Sequence, residues 1–188
     1  MIINIRGTSG SGKTTLINKI RALYAHSDPI FIPKRKRPIR YRLEATDGST
    51  LSLIGHYETA CGGCDTITEC QEVFNLIHVA RQETDHVLFE GLLIAADVNR
   101  TVMLSMEVDD LEVIHLDTSL QECLASVNLR RQARDATLPP VDPHHTESKY
   151  RGVLSSVQRL RANGVTVHTL NRAQAEAHLV STLFPLLS

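Results

Sequence analysis

Tryptophan is absent from this chain of 188 residues, and Tyr and Phe bring the aromatic share to only 4%. Net charge is nearly absent too: 20 Lys and Arg stand against 21 Asp and Glu, leaving −1. That balance excludes a uniformly basic nucleic-acid coat and a disordered polyelectrolyte. No apolar run approaches the ~18 residues of a membrane span, so no membrane association is expected. Met1-Ile2-Ile3-Asn4-Ile5-Arg6 carries no signal-peptide n-region or cleavage site, which predicts a cytoplasmic location. The four Cys are unevenly placed and read as reduced thiols rather than a disulfide framework. What is present, 42% hydrophobic and 22% charged residues, is an ordinary globular balance. The length predicts a single domain over residues 1–188.

The most informative stretch follows at once. The apolar run Ile2-Ile3-Asn4-Ile5 leads into Gly7-Thr8-Ser9-Gly10-Ser11-Gly12-Lys13-Thr14-Thr15. This is the P-loop pattern G-x-x-x-x-G-K-T, and it opens a helix with Leu16, Ile17, Ile20, Leu23 and Tyr24 at helical spacing. Glycines let the backbone wrap phosphate with its N–H groups turned inward, and the helix N-terminus adds positive potential. Lys13 is placed to bridge β- and γ-phosphates, and the Thr14 hydroxyl to ligate Mg²⁺. The spacing therefore predicts a nucleoside triphosphate site. An N-K-x-D base-reading motif, expected of a GTPase, is missing.

Beyond the loop, strands and helices alternate. Residues 39–45 and 51–53 flank Asp47-Gly48 and read as a hairpin. Thr68-Glu69-Cys70-Gln71 reads as a capping box ahead of Val73, Leu76, Ile77 and Ala80. Strands are expected at 86–89, 111–116 and 165–170, and a second capping box at Ser119–Glu122. The expected fold is α/β: a three-layer P-loop NTPase of nucleotide-kinase type with a central, mainly parallel sheet, a small hairpin and a lid. Ligands in such sheets sit at the carboxyl ends of the strands.

Several residues outside the loop bear on chemistry. Glu90 ends the strand Val87-Leu88-Phe89, where an acid holds Mg²⁺ or accepts a proton. Arg130 and Arg134 lie one helical turn apart, ahead of a Pro-rich segment, 135–147, with the composition of a mobile lid (130–150 with its flanks). Cations there stabilise charge on a transferring phosphoryl group. Lys34, Arg35, Lys36, Arg37, Arg40 and Arg42 put six of the 20 cations into nine residues, a basic patch suited to a polyanionic acceptor. His56 with Cys61, Cys64 and Cys70 offers metal-ligand types, but no second tight cysteine pair exists and no zinc is expected. Gly62-Gly63 instead suggests a tight backbone approach, with Asp65 beyond it as a general base or as the start of the next helix. Asn171 follows the last strand, where loops hold the adenine ring in P-loop kinases.

Taken together, the P-loop, Gly55-His56-Tyr57, Cys61-Gly62-Gly63-Cys64-Asp65 and Glu90-Gly91-Leu92-Leu93 resemble bacteriophage P-loop DNA kinases. The resemblance spans roughly residues 1–135. It implies ATP and Mg²⁺, phosphoryl transfer to the hydroxymethyl oxygen of 5-hydroxymethyluracil in DNA, and an acceptor region near 34–65. The residues read on their own converge on the same parts: Lys13 and the loop on the phosphates, Thr14 and Glu90 on Mg²⁺, Asp65 or Glu90 taking the proton, and Arg130 and Arg134 closing over the transferring group. A phage enzyme of this kind would work in the cytoplasm of the infected host. Two other readings share the donor site: a kinase of a free nucleoside, nucleotide or small metabolite, and a nucleotide-binding ATPase without acceptor.

Overall fold

The first strand, β1 (Ile2–Arg6), is buried throughout, and its side chains alternate between two hydrophobic cores. Ile2 joins one core with Ile54, Phe74, Phe89, Val113 and Leu160. Ile3 and Ile5 join the other with Leu16, Ile20, Leu88, Ile114 and Leu179. This is a computed structural model, and it describes residues 1–59 and 62–185. The described residues form seven strands in one sheet, with helices on both faces. The α/β expectation holds, including the mainly parallel sheet.

After β1 come α1 (Lys13–Arg21), β2 (His26–Ile30), β3 (Arg40–Glu44), β4 (Thr50–Ile54), α2 (Cys70–Glu83) and β5 (His86–Glu90). Then follow α3 (Leu92–Ala96), α4 (Val98–Glu107), β6 (Leu111–Leu116), α5 (Leu120–Arg134), α6 (Pro143–Ala162), β7 (Val167–Leu170) and α7 (Arg172–Leu183). The sheet order is β2-β3-β4-β5-β1-β6-β7. From β4 to β7 the strands run parallel, whereas β2-β3-β4 is an antiparallel meander at one edge. β3 and β4 are the expected hairpin, with Gly48 at φ 85° in its turn. β2 carries no alternating apolar signal and its residues are mostly exposed, so spacing alone does not predict it.

Some local expectations change. The Thr68–Gln71 capping box does not form: α2 begins at Cys70, and its N-cap Glu69 makes no side-chain cap. Ser119 and Glu122 do form theirs, with Glu122 N donating to Ser119 Oγ at 3.3 Å and Ser119 N to Glu122 Oε2 at 3.0 Å. The segment 135–147 is only partly loop, because Asp142 caps α6 and Pro143 takes its first turn. Val141 N donates to Asn128 Oδ1 at 2.8 Å, tying that short loop back to α5.

The strand that feeds the phosphate loop is anchored by a buried cation. Arg6 is fully buried and donates to Asn4 Oδ1, Ala95 O, Ser156 Oγ, Asp97 O and Thr101 Oγ1. Five acceptors saturate the guanidinium fork, so burial is tolerated although it lowers the group's pKa to about 10. Arg6 thereby ties the last residue of β1 to α3, α4 and α6.

Candidate active site

Strand order creates the site. β1 and β5 are neighbours, with Ile5 opposite Glu90, so the acid at the end of β5 stands beside the loop that leaves β1. Lys13 Nζ lies 3.8 Å from Glu90 Oε2, and Thr14 Oγ1 donates to Glu90 Oε1 at 3.3 Å. Lys13 also donates to the carbonyls of Gly7 and Thr8 at 2.8 and 3.2 Å, which holds the ammonium inside the loop. Glu90 is 2% exposed. Burial pushes its pKa up to about 7, opposed by Lys13 and assisted by Asp65.

The loop's glycines answer to close contacts. Gly10 and Gly12 have φ of 83° and 102°, the left-handed region. A Cβ on Gly10 would meet Cys123 O at 2.3 Å, and one on Gly12 would meet Arg172 Nε at 2.8 Å. Thr8 Oγ1 and Ser11 Oγ are buried without a hydrogen-bond partner. Unpartnered hydroxyls in a glycine cradle beside a lysine suit the oxygens of a polyphosphate. Thr14 and Glu90 together present the oxygen donors that Mg²⁺ prefers.

A cleft of about 530 Å³ opens over this arrangement. Of the expected residues it is lined by Ser9, Gly10, Gly12, Lys13, Thr14, Thr15, Asp65, Glu90 and Arg130. Asp65 Oδ1 accepts from the N–H groups of Leu92 and Leu93 at 2.7 and 3.3 Å, so it caps α3. Asp65 therefore does not open the next α-helix, α2, but caps α3, while still bordering the cleft. Arg134 lies a turn beyond Arg130 on α5, exposed and away from this lining. Asn171 uses its side chain on the N-cap of α7, accepting from Gln174 N at 2.9 Å. Its neighbour Arg172 is the residue that reaches the site, donating from Nε to Ser11 O at 2.9 Å. Sequence reasoning missed Arg172; its only signal was adjacency to a strand end.

Gly55, His56, Gly62 and Gly63 form a backbone platform behind Glu90. His56 and Gly63 pair as an antiparallel bridge, with Gly63 N donating to His56 O at 2.6 Å. A Cβ on Gly62 would strike His56 O at 2.2 Å, and one on Gly63 (φ 72°) would strike Glu90 Oε1 at 2.4 Å. Cys61 lies outside the described residues, so the C-x-x-C pair is not described as a unit. Cys64 is buried, and burial pushes its thiol well above the ordinary range, so the free thiol is not poised for redox chemistry.

The basic run divides by strand geometry. Lys34, Arg35, Lys36 and Arg37 line a second cavity of about 500 Å³, together with Asp65 and Thr66. Arg35 is anchored there by Nη2 donating to Thr66 O. Arg40 does not belong to that patch: it is 7% exposed, and its guanidinium donates to Ser52 Oγ and pairs with Glu83. Arg42 lies on β3, exposed but away from the cavity. Both sit inside a strand, where pairing to β4 fixes their direction. Phe31 and Ile32, 54% and 38% exposed, precede the loop cations and were not singled out in the sequence.

No family model matches the chain. A curated protein of Pseudomonas phage PaMx11, named 5-hmdU DNA kinase, is 47% identical over 171 residues, covering 91% of this chain and 90% of that protein. One of the same name from Pseudomonas phage M6 is 26% identical over 178 residues, covering 90% of each. Among solved structures, a chain from the PezAT chromosomal toxin-antitoxin system of Streptococcus pneumoniae aligns with a TM-score of 0.53 and 13% identity. That alignment covers 98% of this chain and 78% of the other, and the likeness is one of fold alone.

Proposed function

The chain belongs to the 5-hmdU DNA kinase family, and we propose that it transfers the γ-phosphoryl group of ATP to the hydroxymethyl oxygen of 5-hydroxymethyluracil in DNA. It is a P-loop kinase. The observation that carries the DNA acceptor is the position of Asp65, which borders both the phosphate-loop cleft and the cavity lined by Lys34–Arg37. A polyanion held by the loop cations would therefore present its reacting group at the edge of the donor site. Phe31 and Ile32 add apolar surface beside those cations, suited to a base or sugar face. The molecule acts as one domain, with acceptor contacts within 34–65 and, as its lid, residues 130–150: the end of α5, the loop after it and the start of α6. The reaction belongs in the cytoplasm of the infected cell, where ATP and phage DNA meet.

Within this reading each side chain has a defined task. Residues 7–15 hold the triphosphate through backbone N–H groups and the Thr8 and Ser11 hydroxyls, and Lys13 neutralises its β- and γ-oxygens. Thr14 and Glu90 would hold Mg²⁺, which when bound offsets charge on the phosphate oxygens. Asp65 accepts the proton of the acceptor hydroxyl; its Oδ1 is fixed by two backbone N–H groups, which orients the carboxylate. Glu90 remains the second candidate for that proton, because its carboxylate lines the same cleft. Arg130 and Arg172 approach the cleft from opposite elements, α5 and α7, and balance charge on the transferring group. Arg134 would join them only through movement of the end of α5.

The experiment offers the protein Mg²⁺ and γ-labelled ATP with three acceptors at equal concentration: hydroxymethyluracil-containing DNA, the free nucleoside and its nucleotide. Label in the DNA is the expected result. Label only in the small molecules would replace this reading with a nucleoside or nucleotide kinase, and phosphate release without a labelled acceptor would replace it with an ATPase.

A further inference from the structure

Toward the end of the sheet away from the phosphate loop, Glu112, His168 and His178 converge from three elements. Glu112 lies near the start of β6, opposite Ile3 of β1 and well before the loop. His168 in β7 pairs with Ile114, two residues after Glu112, so both project to the face covered by α7. α7 contributes His178, one residue before the core residue Leu179. One ligand-type atom from each of the three lies within 4.8 Å of the others.

His178 and Glu112 are hydrogen-bonded, but His168 does not complete a closed network with them. His178 Nε2 is 2.9 Å from Glu112 Oε2, and His168 Nε2 is 3.8 Å from the same oxygen, beyond hydrogen-bond range. His168 Nε2 is nonetheless buried and has no hydrogen-bond partner. Buried ring nitrogens are ordinarily satisfied, and this one faces the Glu112 carboxylate unbonded from a side chain that is 37% exposed. Ligands of a tetrahedral zinc ion at ~2.0–2.1 Å stand about 3.3 Å apart, between the two observed separations. The rings of His168 and His178 are 4.9 Å apart, tilted at 43°, which lets both nitrogens face the carboxylate.

We propose that Glu112, His168 and His178 bind one Zn²⁺ or a similar borderline divalent ion, with a water completing the tetrahedron. Two imidazoles and one carboxylate select against Mg²⁺, which prefers oxygen donors, and so separate this site from the one at Thr14 and Glu90. The ion joins the edge strand β7 and the last helix to the interior strand β6. Because α7 begins at Arg172, whose Nε holds Ser11 O, the ion also steadies the helix that buttresses the phosphate loop. The three residues are scattered through the sequence without metal-motif spacing, so local spacing gives no sign of the site.

The test uses the full-length protein, stripped with chelator and held in excess Mg²⁺, titrated with Zn²⁺ by calorimetry and with Co²⁺ by visible absorption. One equivalent of each should bind, the Co²⁺ form showing tetrahedral d–d bands without thiolate charge transfer. At about 100 times Kd, Zn²⁺ should raise Tm by roughly 5–10 °C. His178→Ala and Glu112→Gln, checked for folding by circular dichroism, should lose this equivalent, and Cys70→Ser should keep it. No bound equivalent in the wild-type protein, or the same equivalent in folded His178→Ala, overturns the proposal.

Discussion

Gly63 and Glu90 are packed so closely that a single added methyl group would lie 2.4 Å from the carboxylate oxygen Oε1. The acid beside the P-loop is thus shaped from behind by the backbone of residues 62–63, and glycine there serves the active site as well as the turn.

Gly63→Ala should therefore damage catalysis and stability together. Its φ of 72° is in the left-handed region and its Cβ would displace Glu90. Backbone strain of this kind costs about 1–3 kcal/mol. Denaturant titration and single-turnover transfer check both effects; a variant with wild-type turnover would show that Glu90 tolerates displacement.

Lys13→Ala should lower phosphoryl transfer by at least ~10²-fold, the scale for losing one charge-stabilising donor. Circular dichroism should show the fold kept, since the ammonium contacts loop carbonyls rather than the apolar core. Full activity in this variant would remove the P-loop from the mechanism.

The cations of 34–42 should separate by kind. Lys36→Ala should weaken DNA binding and reduce the salt slope of log K by about 1 while leaving Tm unchanged. Arg40→Ala should lower Tm, because it leaves Ser52 and Glu83 without their buried partner, and should leave the slope alone. Equal salt slopes for wild-type and Lys36→Ala would detach the loop cavity from DNA.

Glu90 gives the Mg²⁺-free protein a pH signature. Its carboxyl titrates near 7 when folded, against an ordinary 4.5 when unfolded. Between those values the unfolded chain binds fewer protons than the folded one, so the Glu90 contribution to stability falls as pH rises from about 4.5 to 7. Above 7 the loss is complete and constant. Glu90→Gln should remove this fall, measured as the difference between wild-type and variant Tm across that window; a flat difference would contradict it.

Arg172→Ala should slow transfer by roughly 10-fold or more while Asn171→Ala acts mainly on Tm, costing about 1 kcal/mol as the loss of a helix cap. The comparison separates the residue that reaches the phosphate loop from the one beside it that starts α7.

What the sequence determined by itself was everything governed by short-range spacing. The phosphate loop needs only Gly7, Gly10, Gly12, Lys13 and Thr14 at fixed intervals between a strand and a helix, and the chain alone supplies that geometry. Ser119 and Glu122, three residues apart, cap α5 for the same reason. Tertiary structure decided which of these pieces meet. Only the adjacency of β1 and β5 brings Glu90 to Lys13 and Thr14, and only the pairing of β3 with β4 takes Arg40 out of the basic patch into contact with Ser52. Asn171 and Arg172 are neighbours in sequence, yet capping α7 occupies the first and leaves the second to reach Ser11. Glu112, His168 and His178 meet because β7 lies beside β6 under α7, a strand order that no local pattern encodes.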